Sequence, residues 1–170
     1  MNNLSLIKTF PENFIFGTAT SSYQIEGNDF GGAGKNHWDQ FAKVDGMVFN
    51  AQHGQIACNH IKHWREDLQL VSDAGFGAYR FSFSWPRIIP EGRGTLNSEG
   101  LSFYDKLLDQ MLESNLKPFG TFYHWDLPIS LANLGGWANR DTAKYFADYS
   151  EVLMKKFGDR LYSVATINEP

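Results

Sequence analysis

Cysteine is nearly absent from this sequence, because Cys58 is its one thiol in 170 residues. No disulfide can form within the chain, and its cysteine usage gives no indication of an oxidising compartment. The first thirteen residues contain no apolar run of the length found in secretory signals, and Pro11 interrupts them. No other stretch has the length and apolar character of a membrane span. We therefore expect a cytoplasmic protein without a membrane partner.

Basic residues are also in short supply. The chain has 15 Lys and Arg against 19 Asp and Glu, a net charge of −4, and no basic stripe. This balance argues against nucleic acid as a partner. Hydrophobic residues make up 42% of the sequence, enough at this length for one folded domain with a core. Aromatic residues reach 15%, and several stand beside Asn, Asp, Gln or His, a mixture typical of pockets for flat, hydroxyl-rich molecules.

Strand-like and helix-like segments alternate along the chain. The spacing of apolar residues predicts helices from His60 to Ala74, from about Leu101 to Asn115, and from a cap at Asn139 to Gly158. Residues 27–55 are rich in Gly, Asn and Asp and form a long predicted loop. The predicted strands cover residues 14–18, 79–84, 118–123 and 163–168. A βαβαβαβ order implies a parallel sheet, as found in both doubly wound sheets and closed barrels.

Each predicted strand ends in side chains that can form hydrogen bonds. In a (β/α) barrel the carboxyl ends of the strands converge on one mouth, where active sites form. The shared position of these polar groups therefore predicts a single polar rim. The four groups are Tyr23, Gln24 and Glu26; Ser84 and Trp85; His124, Trp125 and Asp126; and Asn168 and Glu169.

Five motifs occur in a characteristic order: "FIFGTATSSYQIEG", "YRFSFSWPRIIPEGRG", "FYHWDLP", "GGW" and "TINEP". Together they resemble the amino-terminal half of glycoside hydrolase family 1, the β-glucosidase family, from about Phe10 to Pro170. The resemblance implies an α/β fold of the (β/α)8 TIM-barrel type, of which this chain supplies roughly the first four βα units. Residues 1–170 would then be the amino-terminal half of a single barrel domain. The implied reaction is hydrolysis of terminal, non-reducing β-D-glucosyl residues with retention of configuration.

The same resemblance assigns roles at the predicted rim. Glu169 of "NEP" is expected to be the general acid/base, and Asn168 is expected to contact the sugar 2-hydroxyl. Gln24 and His124 are expected to hold hydroxyls of the glycone, with Trp125 beside them in the substrate site. The chemistry agrees, because a leaving alkoxide needs a proton donor and a ring hydroxyl needs partners that donate and accept. Hydrogen bonds to the 2-hydroxyl that strengthen in the transition state would raise the rate.

The catalytic nucleophile is not among the assigned residues. In the family it belongs to a later "ENG"-type motif, which these 170 residues do not contain. Arg80 is expected at the barrel floor near that nucleophile, with a structural ion pair as the alternative role. We expect the chain alone to be inactive and a carboxyl-terminal half to be its partner. Two alternatives stay open: a non-catalytic truncated half barrel, and part of a 6-phospho-β-glycosidase.

Two further patterns are too incomplete to indicate a site. The segment "GGAGKN", residues 31–36, resembles a phosphate-binding loop but has Asp29 and Asn36 where the pattern requires Gly and Ser or Thr. His60 and His63 share a predicted helix face, yet no third ligand follows at a convincing spacing. We therefore expect neither a metal nor a cofactor.

Overall fold

The computed structural model describes residues 10–170 and contains a parallel sheet of four strands. The strands are β1 (Gly17–Ala19), β2 (Ala78–Ser82), β3 (Lys117–Tyr123) and β4 (Ser163–Ile167). Each strand pairs with the next one along the chain, so the order across the sheet is β1-β2-β3-β4. Residues 1–9, on which most of the prediction about a targeting segment rests, lie outside the described residues.

Helices connect the strands and cover one face of the sheet. The α-helices are α1 (Ser22–Ile25), α2 (His37–Phe41), α3 (His60–Asp73), α4 (Trp85–Ile88), α5 (Ser98–Glu113), α6 (Ile129–Asn133) and α7 (Arg140–Phe157). Short 3₁₀ turns occur at Phe49–Ala51 and Gly136–Ala138. Among the described residues, no helix combines the length and apolar character required to cross a bilayer.

The three long helices match the sequence predictions closely. The side chain of Asn139 accepts a hydrogen bond from the Asp141 amide at 3.0 Å, which satisfies a free donor at the start of α7. The start of α5 lies three residues before the predicted Leu101, because Asn97 caps it by accepting from the Glu99 amide. A cap of this kind requires an oxygen-bearing side chain, and an apolar pattern alone does not locate it.

The first strand is shorter and later than predicted. Instead of residues 14–18 it covers residues 17–19, which pair with residues 78–80 of β2. A Cβ at Gly17 would lie 2.8 Å from the Ala78 carbonyl oxygen, so this close approach requires glycine. Phe14 and Phe16 instead contact each other and Phe10, with ring centroids 4.6 to 5.1 Å apart. Their apolar character therefore reflects an aromatic cluster, and not a longer strand.

The predicted loop at residues 27–55 contains a helix. Asn36 accepts from the Asp39 amide, and the Asp39 carboxylate accepts from the Asn36 amide, which forms a capping box at the start of α2. The Asp39 carboxylate also accepts two bonds from the Asn28 side chain. An Asn followed three residues later by Asp was the sequence signal for this helix.

The core lies between the sheet and the long helices. Alternate residues of β2 and its extension point toward the helices, and these are all aromatic: Tyr79, Phe81 and Phe83. Arg80 and Ser82, between them, face the other side of the sheet. The helices contribute large apolar side chains that are almost fully buried: Trp64, Leu68, Tyr104, Leu107, Leu108, Met111, Tyr149, Leu153 and Phe157. One face of the sheet is therefore an apolar core, and the opposite face carries polar groups.

A charged residue lies inside this structure. Arg87 of α4 has no exposed surface, and its Nε atom donates to Glu26 at 2.9 Å. Its other nitrogens donate to the carbonyl oxygens of Gly27 and Phe30, and Tyr104 of α5 donates to the second Glu26 oxygen. The network joins the segment after α1, the end of β2 and α5, so it holds the chain that follows the first strand against the second.

We expect Arg87→Met to lower the free energy of unfolding by about 3–5 kcal/mol, since it leaves the Glu26 carboxylate buried without its positive partner. Urea denaturation of the 170-residue chain measures this. Arg93→Met is the matched control, because Arg93 is exposed and, among the described residues, donates to the Tyr145 hydroxyl alone. A control substitution of this kind is expected to cost within about 1 kcal/mol. Equal losses in the two variants would show that the buried network contributes little to stability.

Candidate active site

The carboxyl ends of the four strands, which we call the rim, bring together most of the residues predicted to form a site. At the end of β4, Asn168 is held on three sides. Its amide donates to the Tyr123 carbonyl oxygen at 3.0 Å, and its own carbonyl accepts from the Trp125 indole nitrogen at 3.0 Å. Its side-chain oxygen accepts from Arg80 at 2.7 Å. Asn168 is therefore fixed in both backbone and side chain, and the adjoining Glu169 is exposed at the rim.

Arg80 projects from the polar face of β2 toward β4. Its Nε atom donates to the Thr121 hydroxyl of β3 at 3.0 Å, and a second nitrogen binds Asn168. In the described part of the chain, Arg80 forms no ion pair, so the structural ion pair weighed as its alternative role is not seen. Its positive charge stays on the polar face of the sheet, directly beside the amide of Asn168.

His124 follows β3 and is half-buried. Burial lowers its pKa, the positive charge of Arg80 lowers it further, and the carboxylate of Glu169 partly opposes both. The imidazole is therefore neutral at neutral pH, with one nitrogen that donates and one that accepts. The His124 ring lies 5.7 Å from the Trp125 ring, and Trp125 in turn donates to the carbonyl oxygen of Asn168, so His124 lies on the same part of the rim.

Gln24 lies on α1, immediately after β1. Its side chain is exposed, makes no hydrogen bond with another described residue, and lines a cleft of about 370 Å³ together with Tyr23 and Trp38. The anchor for this helix is Ser22, whose amide donates to the Ser82 hydroxyl at 2.8 Å. The position of Gln24 is thus set by α1, while its side-chain amide is available to a ligand.

Asp126 connects the helix of Gln24 to the loop of His124. It is 1% exposed, and its Oδ2 atom accepts from the Ser22 hydroxyl at 2.8 Å. The two bonded residues are 104 positions apart in sequence, so no local pattern could reveal the contact. Sequence reasoning placed Asp126 among the rim groups but missed its role as a support of the site, and it did not name Ser22.

Four of the polar residues grouped at the predicted rim do not reach solvent there. Glu26, Asp126, Ser84 and Trp85 are all at most 3% exposed. Glu26 binds Arg87 and Tyr104, and the amide of Ser84 donates to the Tyr104 hydroxyl. Strand-end position alone therefore did not distinguish groups that face a ligand from groups that hold the backbone below it.

The two histidines of α3 do not form a metal site. The Nδ1 atom of His60 lies 2.6 Å from an Asp67 oxygen, and the ring is buried, whereas His63 is exposed. Within residues 10–170, no group of three His, Cys, Asp or Glu side chains is placed to hold a metal ion.

Comparison with known proteins identifies the family of this chain. The model of glycosyl hydrolase family 1 matches residues 6–170. The chain belongs to this family. Over 165 residues it is 52% identical to a 1,4-β-D-glucan glucohydrolase of Thermotoga neapolitana, and over 167 residues it is 48% identical to a β-glucosidase of Agrobacterium. These alignments cover 96% and 98% of the chain but 39% and 36% of the two relatives.

A solved structure agrees with the sequence match. The chain superimposes on the family 1 β-glucosidase from Thermotoga maritima with a TM-score of 0.92 and 51% identity, covering 95% of the chain and 36% of that protein. The same enzyme has been solved in complex with castanospermine and with deoxynojirimycin. The fold class predicted from the sequence is confirmed: the four-stranded sheet and its helices correspond to the amino-terminal part of a family 1 TIM barrel. The chain spans well under half the length of these relatives.

The contribution of Asp126 to the free energy of unfolding is expected to depend on pH. Burial raises the pKa of Asp126 to about 6, and the nearby Glu26 carboxylate adds to this, while the Ser22 hydroxyl opposes it. A raised pKa means that the folded chain keeps a proton which the unfolded chain has released. The free energy of unfolding should therefore fall as pH rises from about 4 to about 6, by up to about 3 kcal/mol at about 1.36 kcal/mol for each pKa unit.

Asp126→Asn should remove this pH-dependent component, because the side chain can no longer ionise. The measurement is urea denaturation of wild type and variant at intervals between pH 4 and pH 7. Asp45→Asn, at an exposed loop position, controls for the substitution itself. If wild type and Asp126→Asn show parallel pH profiles, Asp126 does not carry the titration.

Proposed function

We propose that this chain is the glycone-binding and acid/base part of a retaining β-glucosidase that hydrolyses terminal, non-reducing β-D-glucosyl residues. Membership of glycosyl hydrolase family 1 supports the proposal, as do relatives about half identical to the chain that are β-glucosidases. The observation that carries it is the setting of Glu169, which is exposed at the rim and directly follows Asn168, a residue held by three hydrogen bonds.

Glu169 is proposed to act twice. Its carboxyl group first gives a proton to the glycosidic oxygen as the bond from that oxygen to the anomeric carbon breaks, so the aglycone leaves as an alcohol. As that bond breaks, a second carboxylate attacks the anomeric carbon and forms a glycosyl-enzyme ester. The Glu169 carboxylate then accepts a proton from water while the water oxygen displaces that ester. Two inversions at one carbon give retention of configuration.

The amide of Asn168 has an orientation suited to the sugar 2-hydroxyl. A guanidinium group only donates, so the atom that receives the 2.7 Å bond from Arg80 is the amide oxygen. The amide nitrogen of Asn168 is left to donate, and a sugar hydroxyl can accept it. His124 and Gln24 are proposed to bind other glycone hydroxyls, because each can donate and accept.

The nucleophile is proposed to come from a segment outside these 170 residues. Retaining glycosidases hold their two carboxyl groups about 5–5.5 Å apart, which requires a second strand end facing Glu169. Within residues 10–170, β1 and β4 each pair with one neighbour, so each has a free edge. We propose that four further βα units close the barrel between these edges and complete a single domain.

The test is a fusion of this chain to the carboxyl-terminal remainder of the Thermotoga maritima relative. We expect the fusion to hydrolyse p-nitrophenyl β-glucoside and cellobiose, and the 170-residue chain alone to hydrolyse neither. Glu169→Gln in the fusion should lower kcat/KM for cellobiose by about 10²–10⁴-fold, the usual contribution of a general acid. For 2,4-dinitrophenyl β-glucoside, kcat/KM should change little, because that leaving group needs no proton. Azide should restore turnover of the stalled glycosyl-enzyme.

Glu113→Gln is the matched control, since Glu113 ends α5 and is exposed at the opposite end of the sheet from the rim. It should leave both rates unchanged. Equal losses on both substrates in Glu169→Gln would remove Glu169 from the acid role. A folded fusion that is inactive on every one of these substrates would favour a non-catalytic half barrel.

A further inference from the structure

Trp125 has a backbone conformation that is unusual for its residue type. It follows β3 with a φ of +68°, in the left-handed region that bulky side chains rarely adopt. Such conformations persist where surrounding contacts fix them, and they are concentrated at functional sites. The contact that fixes Trp125 is the hydrogen bond from its indole nitrogen to the carbonyl oxygen of Asn168.

This bond acts on the peptide group that leads into Glu169. The carbonyl of Asn168 and the amide of Glu169 belong to one planar unit, so fixing the carbonyl direction also fixes the line from which Glu169 projects. Glu169 itself has a φ of +48°, again left-handed. The amide of Asn168 is held from the end of β3 by Tyr123, and its carbonyl is held by Trp125 two residues later.

The indole N–H of Trp125 is the only hydrogen-bond donor of that side chain, and Asn168 already accepts it. The ring is nonetheless 39% exposed at the rim, so its face can still contact a ligand. A polar contact between Trp125 and a sugar hydroxyl would require this bond to break. Trp125 therefore differs from Gln24 and His124, because the polar groups of those two side chains do not bond Asn168.

We propose that Trp125 is a positioning residue for the acid/base Glu169, acting through the carbonyl of Asn168. The inference rests on the proposed function, because it assigns Glu169 the proton transfer. Its distinguishing consequence is selective: loss of the indole donor should impair proton donation to the leaving group and leave glycone binding largely intact. A misplacement of about 1 Å at a reacting group can cost about 10²-fold in rate.

The first test is Trp125→Phe in the fusion with the Thermotoga maritima remainder. It keeps an aromatic ring and removes the donor. We expect kcat/KM to fall by about 10²-fold for cellobiose and much less for 2,4-dinitrophenyl β-glucoside, with KM for the latter little changed. Trp137→Phe is the matched control, because Trp137 is also part-exposed and packs on Tyr123 without bonding Asn168. Its effect should be the same on both substrates.

A uniform loss in Trp125→Phe, or a loss expressed only as a higher KM, would overturn the proposal and assign Trp125 to sugar binding. The second test needs no activity. In ¹⁵N NMR spectra of the fusion, the Trp125 indole proton should exchange slowly, and Trp125→Phe, unlike Trp137→Phe, should shift the Glu169 amide. Rapid exchange and an unmoved amide would refute the contact. If the wild-type fusion is inactive, the proposed function fails, while this measurement still decides whether Trp125 fixes the peptide.

Discussion

The guanidinium group of Arg87 determines how residues 26–30 lie against the end of the second strand. A buried charge is tolerated only when its donors are satisfied, and here a carboxylate and two carbonyl oxygens accept from it. The partners Glu26, Gly27 and Phe30 are consecutive or nearly so, which fixes the backbone after α1. A Cβ at Gly31 would lie 2.9 Å from the same guanidinium, so the chain passes it where only glycine fits without displacement. Arg87 thus anchors the residues that directly follow α1, the helix that contains Gln24.

The rim depends on a second set of bonds that run between neighbouring strands. Arg80 joins β2 to β3 and to the residue after β4, and Asp126 joins the end of β3 to α1. Each bond connects elements far apart in sequence and adjacent in the sheet. Because the parallel register places all four carboxyl ends at one edge, short side chains are sufficient to make these connections. The groups at the rim are therefore oriented by hydrogen bonds from neighbouring strands, some of which come from buried side chains such as Asp126.

The sequence predicted the architecture well where an element is determined by residues close to one another in the chain. The helix ending at Gly158 and the strand at Ser163–Ile167 follow from apolar spacing, caps and β-prone composition, and both are observed. It predicted β1 poorly, because the phenylalanines before Gly17 resemble strand residues but pack on one another. The rim residues could be named from motif resemblance, and the structure brings Arg80, His124, Trp125, Asn168 and Glu169 together. The supporting contacts of Arg87 and Asp126 could not be predicted, since they span 61 and 104 positions.

The sequential strand order has a consequence for how the chain acquires its fold. Within residues 10–170, each strand after β1 pairs with the strand made immediately before it, so each βα unit can dock on a partner that is already present. Pairing between chain neighbours requires shorter loop closures than any other pairing of these four strands would. A ribosome releases the amino-terminal units first, and the sheet can therefore extend in the direction of synthesis. The growing edge at each stage is the newest strand, and its unpaired amides and carbonyls form the template on which the next strand assembles.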